Sequence, residues 1–325
     1  WDAGWYLGIV RFGYEYIPGR STSVAFFPLF PLLIEIFDRV LPGSDVFAAL
    51  IVVHLALVAA VVYVFQIVRL DFDESVAWRT VVFLLVYPGA FFFSAVYAES
   101  LLLLGIVGAM FHARRGQWWR AALFGLVASS AKIVGVLMPI PLAIELWRQR
   151  GFSRQNPWPV LAVALSGMGT FAYFAYLQFA FGSYSVFFET ESQWRREAFS
   201  PVFLMGFLRL LGDTSALNYY PANNLPLRSI FLLLDTTLLW IFLIAGVLVW
   251  KYIRASYGAL VILMALVPAL SGSPQSLNRY LAVLFPAFIL LARIRSEPMR
   301  QAIVVAFSMG FAITTYLFIQ GYWAG

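Results

Sequence analysis

Four ionisable residues interrupt or edge long apolar runs: Asp2, Glu99, Lys132 and Arg279. Asp2 lies in Trp1-Asp2-Ala3-Gly4-Trp5-Tyr6, with Tyr14 and Glu15 following. A carboxylate among aromatic rings suits a general base, because partial burial raises its proton affinity and a nearby acceptor hydroxyl supplies a proton. Read structurally, the same Asp caps a short helix within an interfacial aromatic belt. Glu99, in Tyr97-Ala98-Glu99-Ser100, reads either as a first-turn helix acid or as a group that orients an acceptor or the surroundings of Asp2. Lys132, in SSAKIVGVLMP, can hold a phosphate as a point charge or snorkel to the interface. Arg279 follows Gln275, Ser276, Leu277 and Asn278 and precedes Tyr280; a guanidinium there suits bidentate phosphate contacts. One carboxylate and two cations fit a substrate with a phosphate at headgroup level and a hydroxyl beside a base. A lipid-linked phosphosugar has that form, and transfer from it needs a base on the acceptor and charge stabilisation on the departing phosphate. Protein cations can supply the latter, so no metal and no cofactor is expected.

Other chemistries lack residues. There is no cysteine, and the two histidines, His54 and His112, are far apart, which leaves no zinc set. Asp71 and Asp73 form an Asp-x-Asp that reads as a solvated loop. Asp235 and Glu145 read as internally paired, and His54 as a satisfied packing histidine. No basic, aromatic-interleaved patch suggests nucleic acid.

The elements that must position these groups are membrane helices. Hydrophobic residues make up 62% of 325 and charged residues 12%; a soluble domain has about 45–50% and about 25%. Ten spans are predicted, over 46–69, 78–95, 98–113, 118–131, 134–147, 157–182, 229–250, 256–271, 279–293 and 300–320. The stretch 118–147 is too long for one crossing and is split near Ser129, Ser130 and Lys132. Basic loops at 112–120, 148–154, 251–254 and 293–300 then share one side, the cytoplasmic one. The other side receives 1–45, 97–100, a loop over 183–228, 272–279 and the C-terminus. Residues 28–41 carry apolar positions at helical spacing and read as a helix lying in the interface. The absence of a starting Met suggests a trimmed N-terminus with a first helix missing. The loop over 183–228 is expected to carry short helices and to shape an acceptor site with Trp194, Arg195, Arg196 and Asn218-Tyr219-Tyr220. The chain reads as a single domain over 1–325.

The blocks WDAGWYLGIVRFGYEY, AFFPLFPLL, YPGAFFFSAVYAESLLLL and SLNRYLAVLFPAF, in that order, resemble the PIG-V family. These are the GPI mannosyltransferase 2-like proteins and their bacterial relatives, within the GT-C glycosyltransferases. The resemblance implies an all-α integral membrane GT-C helical bundle. It implies a mannosyltransferase that uses a polyprenyl- or dolichyl-phosphate mannose donor, with inversion, on the outer or lumenal face. Asp2 matches the family's acidic residue in the first outer loop. Eukaryotic members usually carry Arg where this chain has Lys132. Asp2 and Glu99 are the expected catalytic residues, and Arg279 and Lys132 the expected donor phosphate ligands. Trp1, Trp5, Tyr6, Tyr14, Glu15, Tyr97, Gln275, Asn278 and Tyr280 are expected to line the substrate site. The acceptor is a lipid, glycan or protein, with no nucleic acid partner. The membrane is a bacterial or archaeal plasma membrane, or the endoplasmic reticulum if eukaryotic. Alternatives are a GT-C enzyme for another sugar such as arabinose or glucose, a lipid or sugar transporter or flippase, and a non-catalytic scaffold subunit.

Overall fold

The computed structural model describes residues 1–150, 156–194, 225–270 and 277–322, the side chains of 150 and 225–233 excepted. Every regular element among the described residues is helical. Two compact units are formed, one by 1–78 with 92–193 and the other by 79–91 with 194–325.

The first unit begins with α1 (Asp2–Phe12), α2 (Leu29–Val40) and α3 (Asp45–Val68). Ser44 caps α3 by accepting from the Phe47 amide. Arg11, in the last turn of α1, grips the Asp45 carboxylate through two nitrogens, which fixes α1 against the start of α3. α2 buries Phe30, Pro31 and Ile34 and exposes Leu32, Ile36 and Val40. Burying Phe30 and Ile34 contributes about 1.5–3 kcal/mol each.

α4 (Glu74–Val86) follows, capped by Asp73 through the Val76 amide, and runs from the first unit into the second. α5 (Glu99–Arg114) and α6 (Trp118–Ala131) form a hairpin closed by Arg115, Gly116 and Gln117. α5 is buried along its whole length apart from Leu104 and Arg114. Small residues permit this depth. A Cβ on Gly105 would lie 2.5 Å from the Ala128 amide, and one on Gly125 would lie 2.3 Å from the Ser166 Cβ. α7 (Pro139–Arg150), α8 (Trp158–Leu165), α9 (Met168–Phe181) and α10 (Val186–Gln193) complete the unit.

The second unit holds α11 (Leu225–Tyr252), α12 (Ala255–Ala269), α13 (Leu277–Ala282), α14 (Phe285–Ala292) and α15 (Glu297–Ile319). Tyr87 packs edge-on against Phe242, Phe288 and Phe307 within it, and Thr314 donates to the Pro88 carbonyl at 2.7 Å.

The chain is a multi-pass membrane protein. Among the described residues three helices are long and apolar enough to cross a bilayer: Asp45–Val68, Leu234–Tyr252 and Glu297–Ile319. α8 and α9, bent by 52°, make a fourth if counted as one span. Other expected spans are realised as shorter pieces. The one at 78–95 stops at Val86, where Pro88 and Gly89 follow, and the one at 279–293 breaks before Pro286. Proline removes a backbone donor and restricts the residue before it, which a hydropathy window does not register. The split expected near Lys132 is observed: α6 ends at Ala131 and α7 begins at Pro139.

Candidate active site

The α5–α6 hairpin is antiparallel, so the first residue of α5 and the residue after α6 meet at its open end. Those residues are Glu99 and Lys132. The Lys132 Nζ donates to the Glu99 Oε1, with side chains only 10% and 1% exposed. Two charges so deeply buried are held by mutual attraction, and stripping one partner leaves the other costly. The Lys132 backbone is extended, between the end of α6 and a 3-10 turn over Ile133–Leu137.

The residues before Lys132 are bolted in place. The Ser129 hydroxyl donates to the Ser166 carbonyl at 3.0 Å and accepts from the Gly169 amide at 3.1 Å. Thr170 donates to the Ser129 carbonyl at 2.9 Å. One serine thus bridges the break between α8 and α9 and supplies an acceptor to the first turn of α9. Near Glu99, Ser100 donates to the Phe93 carbonyl at 2.7 Å, and Tyr97 is buried with its ring 5.1 Å from Phe92.

α1 packs chiefly against α2, through one buried face. Asp2, Tyr6 and Ile9 recur at helical spacing, with Asp2 half-buried and Tyr6 and Ile9 buried. Tyr6 shares an apolar cluster with Ala98 and Ala131, the residues just before Glu99 and Lys132. Asp2 heads the buried stripe of α1 to which Tyr6 belongs. Trp1 is exposed, and Trp5 stacks on Phe26 at 5.8 Å. Tyr6 meets Phe26 and Phe30 edge-on, a packing role.

The segment between α1 and α2 is tied to α9 and α10. Tyr14 donates to the Phe26 carbonyl and Tyr173 to the Val24 carbonyl, each at 2.8 Å. The rings of Tyr14, Tyr173 and Tyr176 lie 5.6–6.1 Å apart. Burial pushes the Tyr14 phenol far above its ordinary range, so it stays a neutral donor. The Glu15 side chain is exposed, and its amide donates to the Ser23 hydroxyl at 2.8 Å. The Thr22 and Thr190 hydroxyls pair at 3.0 Å, and Tyr16 donates to Glu189. Tyr173, Tyr176 and Glu189 went unread in the sequence. The i, i+3 spacing of the two tyrosines on α9 was the available signal.

Arg279, Asn278 and Tyr280 lie on α13 in the second unit, all buried. The Arg279 guanidinium sits 5.6 Å from the Tyr280 ring centroid. The Asn278 Oδ1 is buried with no hydrogen-bond partner among the described residues, and a Cβ on Gly89 would lie 2.8 Å from the Asn278 carbonyl oxygen. Gln275 lies outside the described residues, as do Arg195, Arg196 and Asn218-Tyr219-Tyr220. Glu145 is buried and paired, as expected. His54 departs from expectation: it is exposed on α3 and bonds its own helix at the Leu50 carbonyl. No group of three metal-ligating side chains occurs among the described residues.

Residues 1–150 match the family model described as mannosyltransferase (PIG-V). No curated protein sequence matches the chain. Among solved structures, the fold is similar to the crystal structure of ArnT from Cupriavidus metallidurans bound to undecaprenyl phosphate. The TM-score is 0.56 at 15% sequence identity, covering 98% of this chain and 67% of that one. At that identity the likeness shows the helical fold alone; Asp2, Glu99 and Lys132 fall within the segment matched by the family model. The chain is a multi-pass membrane protein that shares the helical fold of that structure, and its first 150 residues match the mannosyltransferase (PIG-V) model.

Proposed function

We propose that the protein transfers mannose from a polyprenyl- or dolichyl-phosphate mannose to an acceptor hydroxyl, with inversion, on the extracytoplasmic face. The observation that carries this reading is the buried Glu99–Lys132 pair, whose neighbours in sequence, Ala98 and Ala131, share an apolar cluster with Tyr6 of α1. In the reaction the Asp2 carboxylate takes the acceptor proton. The acceptor oxygen bonds to the anomeric carbon while the bond from that carbon to the phosphate oxygen breaks. The lipid phosphate leaves with the electron pair, and Lys132 meets its growing charge. Glu99 is a positioning residue that fixes the ammonium.

Three further facts support this assignment. The family match concerns a mannosyltransferase, and the ArnT structure holds undecaprenyl phosphate. The α5–α6 hairpin also separates Glu99 and Lys132 from the basic turn with Arg114, Arg115 and Arg120. Sixteen residues of α5 span about 24 Å, close to the thickness of a hydrocarbon core. Basic residues favour the cytoplasm, which supports an extracytoplasmic position for the pair.

The test is transfer by the purified full chain in nanodiscs from radiolabelled polyprenyl-phosphate mannose, with glucose and arabinose donors as competitors. Asp2→Asn keeps size and polarity but removes the base. Its rate is expected to fall by about 10²–10⁴. A wild-type rate would remove Asp2 from the mechanism, and preference for another donor would overturn the mannose assignment.

A further inference from the structure

The mannosyl reading makes no use of His54, which stands at mid-depth on a membrane span. α3 has 24 residues, and His54 lies about 14 Å along its axis from Asp45 and about 21 Å from Val68. The hydrocarbon core is about 30 Å thick. The His54 side chain is exposed, and so are Leu55 and Val58 around it. The opposite face of α3 buries Ala49, Val53, Ala56, Ala60 and Val64. Ionisable side chains at such depth almost always face a bundle interior or a water-filled cavity, because hydrocarbon offers them no partner. Aliphatic neighbours make this a lipid-facing surface and not a polar cavity.

The imidazole is satisfied at one nitrogen. Its Nδ1 lies 2.7 Å from the Leu50 carbonyl oxygen. A carbonyl only accepts, so Nδ1 carries a hydrogen, and in the neutral ring Nε2 presents a lone pair. No hydrogen bond to Nε2 occurs among the described residues.

Symmetry indicates what fits there. Copies of one chain inserted the same way share a membrane orientation, so a two-fold dimer has its axis along the membrane normal. Each residue near that axis meets its own copy at its own depth. Few side chains pair with themselves in hydrocarbon: a charge repels its copy, and an apolar group gains little over lipid. A neutral imidazole holds one donor and one acceptor. One His54 can therefore offer its Nε2 lone pair while the other turns its ring to donate. The surrounding face suits a close seam. Phe47, Ile51, His54, Val58, Val61 and Phe65 are exposed or part-exposed and recur in steps of four and three, the spacing of a coiled-coil seam. No charged residue lies between Asp45 and Arg69, so no like charges oppose one another along it.

We infer that this face of α3 is the contact surface of a homodimer, with the two His54 imidazoles hydrogen-bonded across the two-fold axis. The inference is independent of the mannosyl reading, because its test needs no transfer assay.

The chain has no cysteine, so a single introduced thiol reports the contact. Val58→Cys lies one turn from His54 on the seam. Leu123→Cys, on α6, is the control for random collision, because the two native side chains are equally open, at 64% and 63%. The full chain is reconstituted in phosphatidylcholine vesicles at high lipid dilution and oxidised. Val58→Cys is expected to give at least about fivefold more disulfide-linked dimer than Leu123→Cys, since the bond needs Cβ atoms about 3.5–4.5 Å apart. Adding His54→Leu, which suits a lipid-facing position, should lower the yield to the control level. Adding His54→Gln, which also carries a donor and an acceptor, should retain most of it. Equal yields from Val58→Cys and Leu123→Cys would overturn the dimer, and an unchanged yield with His54→Leu would overturn the imidazole pair. A Val58→Cys thiol that neither cross-links nor reacts with a membrane-permeant maleimide would show a different occupant of this face and would likewise overturn the second copy.

Discussion

The first unit buries charge at both ends of one hairpin, but in two different ways. At the turn end, Arg114 grips Asp71 through two nitrogens, at 2.6 and 2.7 Å, and its Nε lies 3.8 Å from Glu145. Gln149 closes the network by donating to Glu145 at 2.7 Å and to the Ala113 carbonyl at 2.9 Å. A planar guanidinium so engaged has its fork committed to protein carboxylates. At the open end, Lys132 meets Glu99 as a compact ammonium whose donors rotate freely. The contrast separates a clip from an adjustable charge: a saturated fork staples helices, while a point charge can share itself with a ligand phosphate.

The largest expected effect breaks this contrast directly. Lys132→Ala strands the Glu99 charge in the core and should cost about 3–5 kcal/mol of stability, read as a lowered melting temperature in detergent, with transfer abolished. Glu99→Gln combined with Lys132→Met removes both charges. It should recover most of the stability and none of the transfer. If the double variant transfers mannose normally, the open-end pair is a clip like its counterpart. Lys132→Arg should keep measurable transfer, because the charge survives while the shape changes.

A middle-sized effect sharpens the other side. Arg114→Lys loses the two-pronged contact with Asp71 and should cost roughly 1–3 kcal/mol. The rate per folded molecule should stay within about twofold, since only the turn end is loosened. A selective fall in that rate, at unchanged melting temperature, would mean that the clip serves the reaction.

How much of this was legible beforehand follows from the same two ends. Composition alone required an all-helical membrane chain, and the blocks around Asp2, Glu99 and Arg279 carried the family resemblance. The break at Lys132 was readable because small and polar residues interrupt an overlong apolar run. The Glu99–Lys132 pair was overlooked, although two apolar helices joined by a short turn place the first residue of one beside the residue after the other. Residue type alone does not reveal a partner, because pairing is a property of register. His54 was misread for a similar reason: its Nδ1 bonds its own helix, so that nitrogen needed no burial to be satisfied. Spans cut short at Pro88 and Pro286 show that mean hydropathy reports solvent preference, while backbone donors decide where a helix stops.

The smallest effect concerns a charge outside both ends. Glu189, exposed on α10, accepts from Tyr16 and from Ser185, and these hydroxyls hold its carboxyl below the ordinary glutamate range. A carboxyl with a depressed folded value contributes its stabilisation above the unfolded value, about 4.3, and loses it as the pH falls through the folded one. The segment from Gly13 to Pro28 should therefore exchange its amides at a constant protection from neutral pH down to the unfolded glutamate value, and lose protection only as the pH falls below it. Tyr16→Phe should shrink that acid step by removing the stronger of the two donors and leaving Ser185. Because this contact is solvated, it shifts local opening and leaves the melting temperature almost unmoved, unlike either buried pair. A global loss of stability in Tyr16→Phe at neutral pH would show that the surface contact behaves like a buried one, and would remove burial as what distinguishes the three.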